Sequence, residues 1–138
     1  MPRSDRTEYQ GIYPVPSSNI PNVWRQIKQG LDVVKSRACS DWTFELVKSR
    51  LMASEAFLFL APEGFFILMP RYTSEPSVLI WIAYSVGRSA IPHYLPTVER
   101  LAREIGAKNL EIESDRPGYQ RVFRDWQRTG NKYIRRLT

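Results

Sequence analysis

One cysteine, Cys39, and one histidine, His93, are the only side chains of their kind in the 138 residues. A lone cysteine excludes an internal disulfide, and with a single histidine it cannot build a Cys/His zinc site. Papain-like catalysis by the pair lacks any local signature. An unperturbed imidazole titrates near pH ~6.5 and can act as a general base. At the first turn of an expected helix, between Pro92 and Tyr94, the expected place of His93 is the surface or a cap. Cys39 reads as a small buried filler beside a helix start. The third set of reactive groups is cationic. Residues 116–138 carry Arg116, Arg121, Arg124, Arg128, Lys132, Arg135 and Arg136 against Asp125 alone, while residues 1–115 balance 13 basic with 13 acidic side chains. The net charge of +6 therefore sits in the last 23 residues. Such a surface can track phosphates or an acidic protein face, and its binding weakens with salt. Tyr119, Phe123, Trp126 and Tyr133 interleave with these arginines, but they fall on an apolar helix face and are expected in the core.

The elements that position these groups follow from hydrophobic period. With 43% hydrophobic and 25% charged residues the chain fits one globular domain. No stretch approaches the roughly 20 apolar residues of a membrane span, and no signal-peptide core follows Met1. Residues 1–20 hold Pro2, Pro14 and Pro16 with Tyr9, Ile12 and Tyr13, a segment that breaks regular structure yet carries anchors. It is expected to pack as an arm on its own domain or on a partner, with residues 21–138 forming the domain. Trp24, Ile27, Leu31 and Val34 share one face of a helix over 21–36. Asp41 is placed to cap a second helix that presents Phe44, Val47 and Leu51 and ends near Ala56. Two apolar runs, 57–61 and 65–69, flank the turn residues Pro62, Glu63 and Gly64 and predict a buried hairpin. A strand at 78–84 extends it. Leu95, Val98, Ala102 and Ile105 predict a helix from Ile91 that Gly106 ends. Leu110 and Ile112 alternate with Glu111 and Glu113, predicting a half-buried strand parallel to 78–84. Pro117 opens a last helix with Tyr119, Val122, Phe123 and Trp126 inward, and residues 133–137 close the chain as a strand. The fold class is α/β (α+β), a mixed sheet of antiparallel hairpin strands followed by a parallel β-α-β unit, with helices on both faces.

This order of elements resembles the GCN5-related N-acetyltransferase (GNAT) fold, and in particular its small, divergent members encoded among virion genes of tailed bacteriophages. The features that carry the resemblance are Ala56-Phe57-Leu58 before the Pro-Glu-Gly hairpin and the strand ending Trp81-Ile82-Ala83-Tyr84. To these add the helix ending at residues 102–107 and the strand leading into Arg116-Pro117-Gly118-Tyr119. The resemblance implies an acetyl-CoA loop of the form Gln/Arg-x-x-Gly-x-Gly/Ala, whose glycines admit backbone N–H groups to the pyrophosphate. Here that loop holds Gly87, Arg88 and Ser89, with one glycine where the family has two. It also implies a carboxylate base, for which Glu111 and Glu113 stand, and a tyrosine acid. Trp126 aligns best with that tyrosine, and Tyr119 lies about two turns earlier. These departures, with the lopsided charge, favour a non-catalytic structural or interaction protein without a cofactor, and the resemblance alone implies that it belongs to a phage virion. Its contacts with phage structural proteins would run through Tyr9, Ile12 and Tyr13, and through Arg121, Arg124, Arg128, Arg135 and Arg136. Such a protein is made in the host cytoplasm and carried in the particle. The alternative is an acetyl-CoA-dependent N-acetyltransferase of a small or protein amine.

Overall fold

A computed structural model describes residues 11–37, 41–72, 74–87, 89–116 and 118–137. Tyr9, Cys39, Arg88 and Pro117 lie outside the described residues. The chain runs β1 (Tyr13–Val15), α1 (Ile20–Arg37), α2 (Phe44–Met52), β2 (Phe57–Ala61), β3 (Gly64–Tyr72) and β4 (Pro76–Ser85). It continues with α3 (Ala90–Glu104), β5 (Asn109–Glu113), α4 (Tyr119–Val122), β6 (Gln127–Thr129) and β7 (Lys132–Arg136). The strands form one seven-stranded sheet in the order β1-β2-β3-β4-β5-β7-β6. Every neighbouring pair is antiparallel except β4 and β5, which run parallel across the α3 crossover. The mixed sheet is therefore the one expected.

Two apolar layers cover it. Ile27, Leu31, Val47 and Leu51 from α1 and α2 pack with Leu58, Phe65, Ile67 and Ile82. Tyr94, Val98 and Ala102 from α3, with Tyr119, Phe123 and Trp126, pack on Phe66, Val78, Ile80, Leu110 and Ile112. Central strands buried on both faces need continuous apolar runs, which is why 65–68 and 78–80 read without alternation. Gly30 lets α1 lie close to the sheet, because a Cβ there would come 2.5 Å from the Phe65 ring.

Several local expectations change. The second helix is capped by Thr43, whose Oγ1 accepts the Leu46 N–H at 3.1 Å, not by Asp41, and it ends at Met52. The last helix is a single turn, and Val122 is exposed rather than inward. Trp126 still reaches the core, from the bend that leads into β6. Glu111 does not lie on a solvated face: β7 flanks its strand on one side and β4 on the other, and it is buried. The described part of the N-terminal segment docks on the domain, with Tyr13 to Val15 paired to β2 and Ile12 packed against the core.

Candidate functional site: a cleft between two parallel strands

The parallel pairing of β4 with β5 is short. Ser77 pairs with Asn109 and Ile80 with Ile112, and there it stops. At that point β4 carries a bulge: Leu68 faces Ile80 and Ile67 faces Ile82, so Trp81 has no residue opposite it on β3. A bulge bends and twists its strand. It also reverses the facing of the side chains, so that Ile80 points to the α3 layer and Ile82 to the α1–α2 layer. Beyond the bulge, residues 82–85 remain paired with β3 while their other edge has no strand beside it among the described residues. The strands diverge around a cleft of about 630 Å³.

Because the gap lies within the sheet, its lining comes from both layers. Val34, Arg37 and Trp42 line it on the α1–α2 side, and Ser89, Ala90, Ile91 and Tyr119 line it on the other. Its far wall is Glu113, Ser114, Asp115, Arg116 and Asn131. The loop after β4 turns at Gly87, whose φ of +81° is the left-handed region that suits glycine. Ser89 is the N-cap of α3 but its side chain makes no capping bond, and no acidic residue sits in the first turn. The N–H groups of Ala90 and Ile91 thus begin a 15-residue helix without a side-chain acceptor, a site suited to anions. Pro92, in third place, has no N–H to add. Ser85 closes the floor. It is 1% exposed, and its Oγ is the one buried side-chain polar atom without a hydrogen-bond partner among the described residues. An orphaned hydroxyl costs about 1–3 kcal/mol and invites a polar ligand atom.

The structure brings Tyr119 to the cleft, where its hydroxyl accepts a hydrogen bond from Arg116 Nη1 at 3.4 Å. Trp126 lies away from it, against Phe123 and Arg135. Glu113 stands at the cleft wall but Glu111 does not line it. Both carboxylates meet Arg71, and Lys132 Nζ lies 3.8 Å from Glu111. His93 is outside the cleft, with Nε2 3.4 Å from Glu63 Oε2, while the Tyr94 hydroxyl donates to Glu63 Oε1. Burial alone would raise the Glu63 carboxyl. The hydrogen bonds from its own backbone N–H, His93 and Tyr94 outweigh it and hold the group below its ordinary value. Of the cationic residues, Arg135 pairs with Glu99 and Arg136 with Glu75, whereas Arg121, Arg124 and Arg128 are exposed. Tyr13 is exposed on the edge strand and Ile12 half-buried. The spacing of residues gave no sign of Arg71, the Trp81 bulge or Asn131; Ser85, polar at the end of an apolar run and two residues before Gly87, was the one signal in the sequence.

No protein-family model and no curated protein matches the sequence. Solved structures do match in shape. An acetyltransferase of the GNAT family from Listeria monocytogenes superposes with a TM-score of 0.66 at 10% identity, covering 91% of this chain and 94% of that one. An acetyltransferase from Thermus thermophilus gives 0.60 at 17% identity over 94% and 99%. The fold is GNAT-like. An aminoglycoside acetyltransferase from a soil metagenome, solved with sisomicin, gives 0.58 at 14% identity over 87% and 88%. At these identities the likeness concerns the GNAT-like fold alone. No helix among the described residues is long and apolar enough to cross a membrane.

Proposed function

We propose that the cleft of this GNAT-like protein receives the thioester arm of acetyl-CoA, or a related acyl-CoA, from the α3 side and an amine from the α1–α2 side, making it an N-acyltransferase. The observation that carries this reading is a cleft within the sheet lined by residues of both layers, where two ligands could be brought end to end. Gly87, Arg88 and Ser89, with the N–H groups of Ala90 and Ile91, are the groups to hold phosphates. The free edge of residues 81–85 offers backbone partners to an extended, amide-bearing arm, and Ser85 Oγ offers one more. Acetyl-CoA supplies the activated acyl group. Glu113 is the base that takes the amine proton, directly or through water, and Tyr119 is the acid that returns one to the departing sulfur. Glu111 acts by fixing Arg71.

Calorimetric titration with acetyl-CoA and with desulfo-CoA tests this reading. Saturable binding that Gly87→Trp removes from a folded protein is expected, and Tyr119→Phe should bind normally but turn over slowly. No heat and no thermal shift at millimolar acetyl-CoA would discard it.

A second reading, a non-catalytic structural protein of a bacteriophage particle, is favoured by Arg71. Its single Nη1 meets both strand carboxylates, so neither stands free at the cleft. On that view Ile12, Tyr13 and the exposed arginines contact phage structural proteins, and the chain passes from host cytoplasm into the virion. Mass spectrometry of purified particles that lack the chain would end it.

A further inference from the structure

Seven basic side chains in residues 116–138 are not equivalent once the fold is formed. Lys132, Arg135 and Arg136 are tied to Glu111, Glu99 and Glu75. Arg116 lines the cleft and binds the Tyr119 hydroxyl. Arg121, Arg124 and Arg128 have no acidic partner among the described residues, and all three are exposed. They stand on one short stretch that passes from α4 through the turn into the edge strand β6, with Arg128 Cζ 5.9 Å from the centre of the Tyr133 ring. The neutral hydrogen-bonding side chains of Gln127, Thr129 and Asn131 lie on either side of Arg128, also exposed. The one acid of the stretch, Asp125, borders a shallow cavity of about 580 Å³ with Glu75, Arg135 and Arg136.

We propose that Arg121, Arg124 and Arg128 form a phosphodiester-binding face that holds nucleic-acid backbone without reading sequence. Three features select this partner. A protein interface needs an apolar or aromatic centre, yet Phe123, Trp126 and Tyr133 are turned into the core and leave Val122 as the one large apolar side chain exposed in the stretch. Guanidinium forks match phosphate oxygens in pairs. With the aromatic rings buried, no stacking platform remains for bases, so contact stays with the backbone. A charge on an edge strand also blocks unwanted strand addition. Arg128 alone serves that purpose, and Arg121 and Arg124 lie outside the strand. None of the three lines the cleft, so the face is independent of acyl-CoA binding.

The number of free arginines fixes the salt dependence. Three phosphate contacts on a duplex give a slope of log affinity against log salt of about −2.7. Fluorescence anisotropy of a labelled random-sequence duplex with the full chain, between about 50 and 200 mM salt, measures it. The expected result is a slope between about −2 and −3, unchanged when the duplex sequence is changed. In the triple variant Arg121→Gln, Arg124→Gln, Arg128→Gln, affinity should fall at least about tenfold at the lowest salt. Its thermal midpoint should move little, because the three side chains carry no acidic partner and Arg128 adds only an exposed contact with the Tyr133 ring. Four outcomes overturn the proposal: no duplex binding at the lowest salt, the same slope in the triple variant, a slope near −6 that engages every basic group (~−0.9 for each phosphate), or binding of a polyglutamate peptide without binding of duplex.

Discussion

Arg71 Nη1 stands 3.1 Å from Glu111 Oε1 and 3.0 Å from Glu113 Oε2, so one guanidinium on β3 reaches over β4 to tie two carboxylates of β5. Glu111 is the more enclosed, with 7% of its side chain exposed. Removing the partner of a buried charge costs far more than losing a surface pair. Arg71→Ala is therefore expected to lower stability by about 3 kcal/mol, moderated by Lys132. Urea denaturation measures it, and a loss under about 0.5 kcal/mol would mean that Glu111 is solvated after all.

Two glycines, one beside the Tyr84–Ser85 end of β4 and one lining the cleft, should respond to alanine to different degrees. At Gly64 a Cβ would lie 1.9 Å from the Tyr84 carbonyl oxygen, so the β3–β4 pairing must move. Gly64→Ala is expected to cost about 3 kcal/mol or to prevent folding. At Gly87 nothing lies within 4 Å of a built Cβ, and the only penalty is the positive φ, about 1–2 kcal/mol. Thermal melts of the two variants side by side would test the contrast, and the second is the cleaner probe of ligand binding.

Acid should destabilise the fold through two carboxylates. Glu63 lies below its ordinary value of 4.5 for the reasons given above, and Glu75 does so through hydrogen bonds from Asn109 and Arg136. A depressed carboxyl contributes stability that is present above its unfolded value and is lost as pH falls through its folded value. Urea midpoints should therefore decline below pH ~4.5, and the decline should be shallower in Glu63→Gln with Glu75→Gln. An equal decline in that double variant would assign acid sensitivity elsewhere.

Thr43→Ala should cost about 1 kcal/mol, because it strips the cap from α2, while Asp41→Ala should change stability little. Circular-dichroism melts distinguish the two, and the reverse order would return the cap to Asp41.

Much of the architecture was legible in the sequence because burial writes itself as period. The apolar runs at 57–61, 65–69 and 78–84 fall in strands, and the stripes of α1 and α3 fall in those helices, except that Ile105 caps α3 and is exposed. The parallel β4–β5 pair followed from the helix between them. What could not be read was set by long-range contacts. β1 is three residues with Pro14 inside it and Pro16 after it, and β6 is three exposed residues with no alternation, so neither has a local signature. Glu111 alternates with Leu110 and Ile112 like a solvent-facing residue, yet β7 and Arg71 enclose it. The bulge at Trp81 leaves no trace in composition. Trp126 aligned best with the family tyrosine, yet both rings are buried and the turn leaves only Tyr119 lining the cleft.

The early end of the parallel pairing has a mechanical consequence. The chain up to Ser85 builds one jaw and the chain from Asn109 builds the other, and within the sheet they are riveted along four residue pairs at one end. Any further opening of the gap would pivot on those four pairs and would have to stretch the Arg71 tie to Glu113. Gly87 and Asn131 line the gap beyond the pairs, so a small rotation there would move them the most.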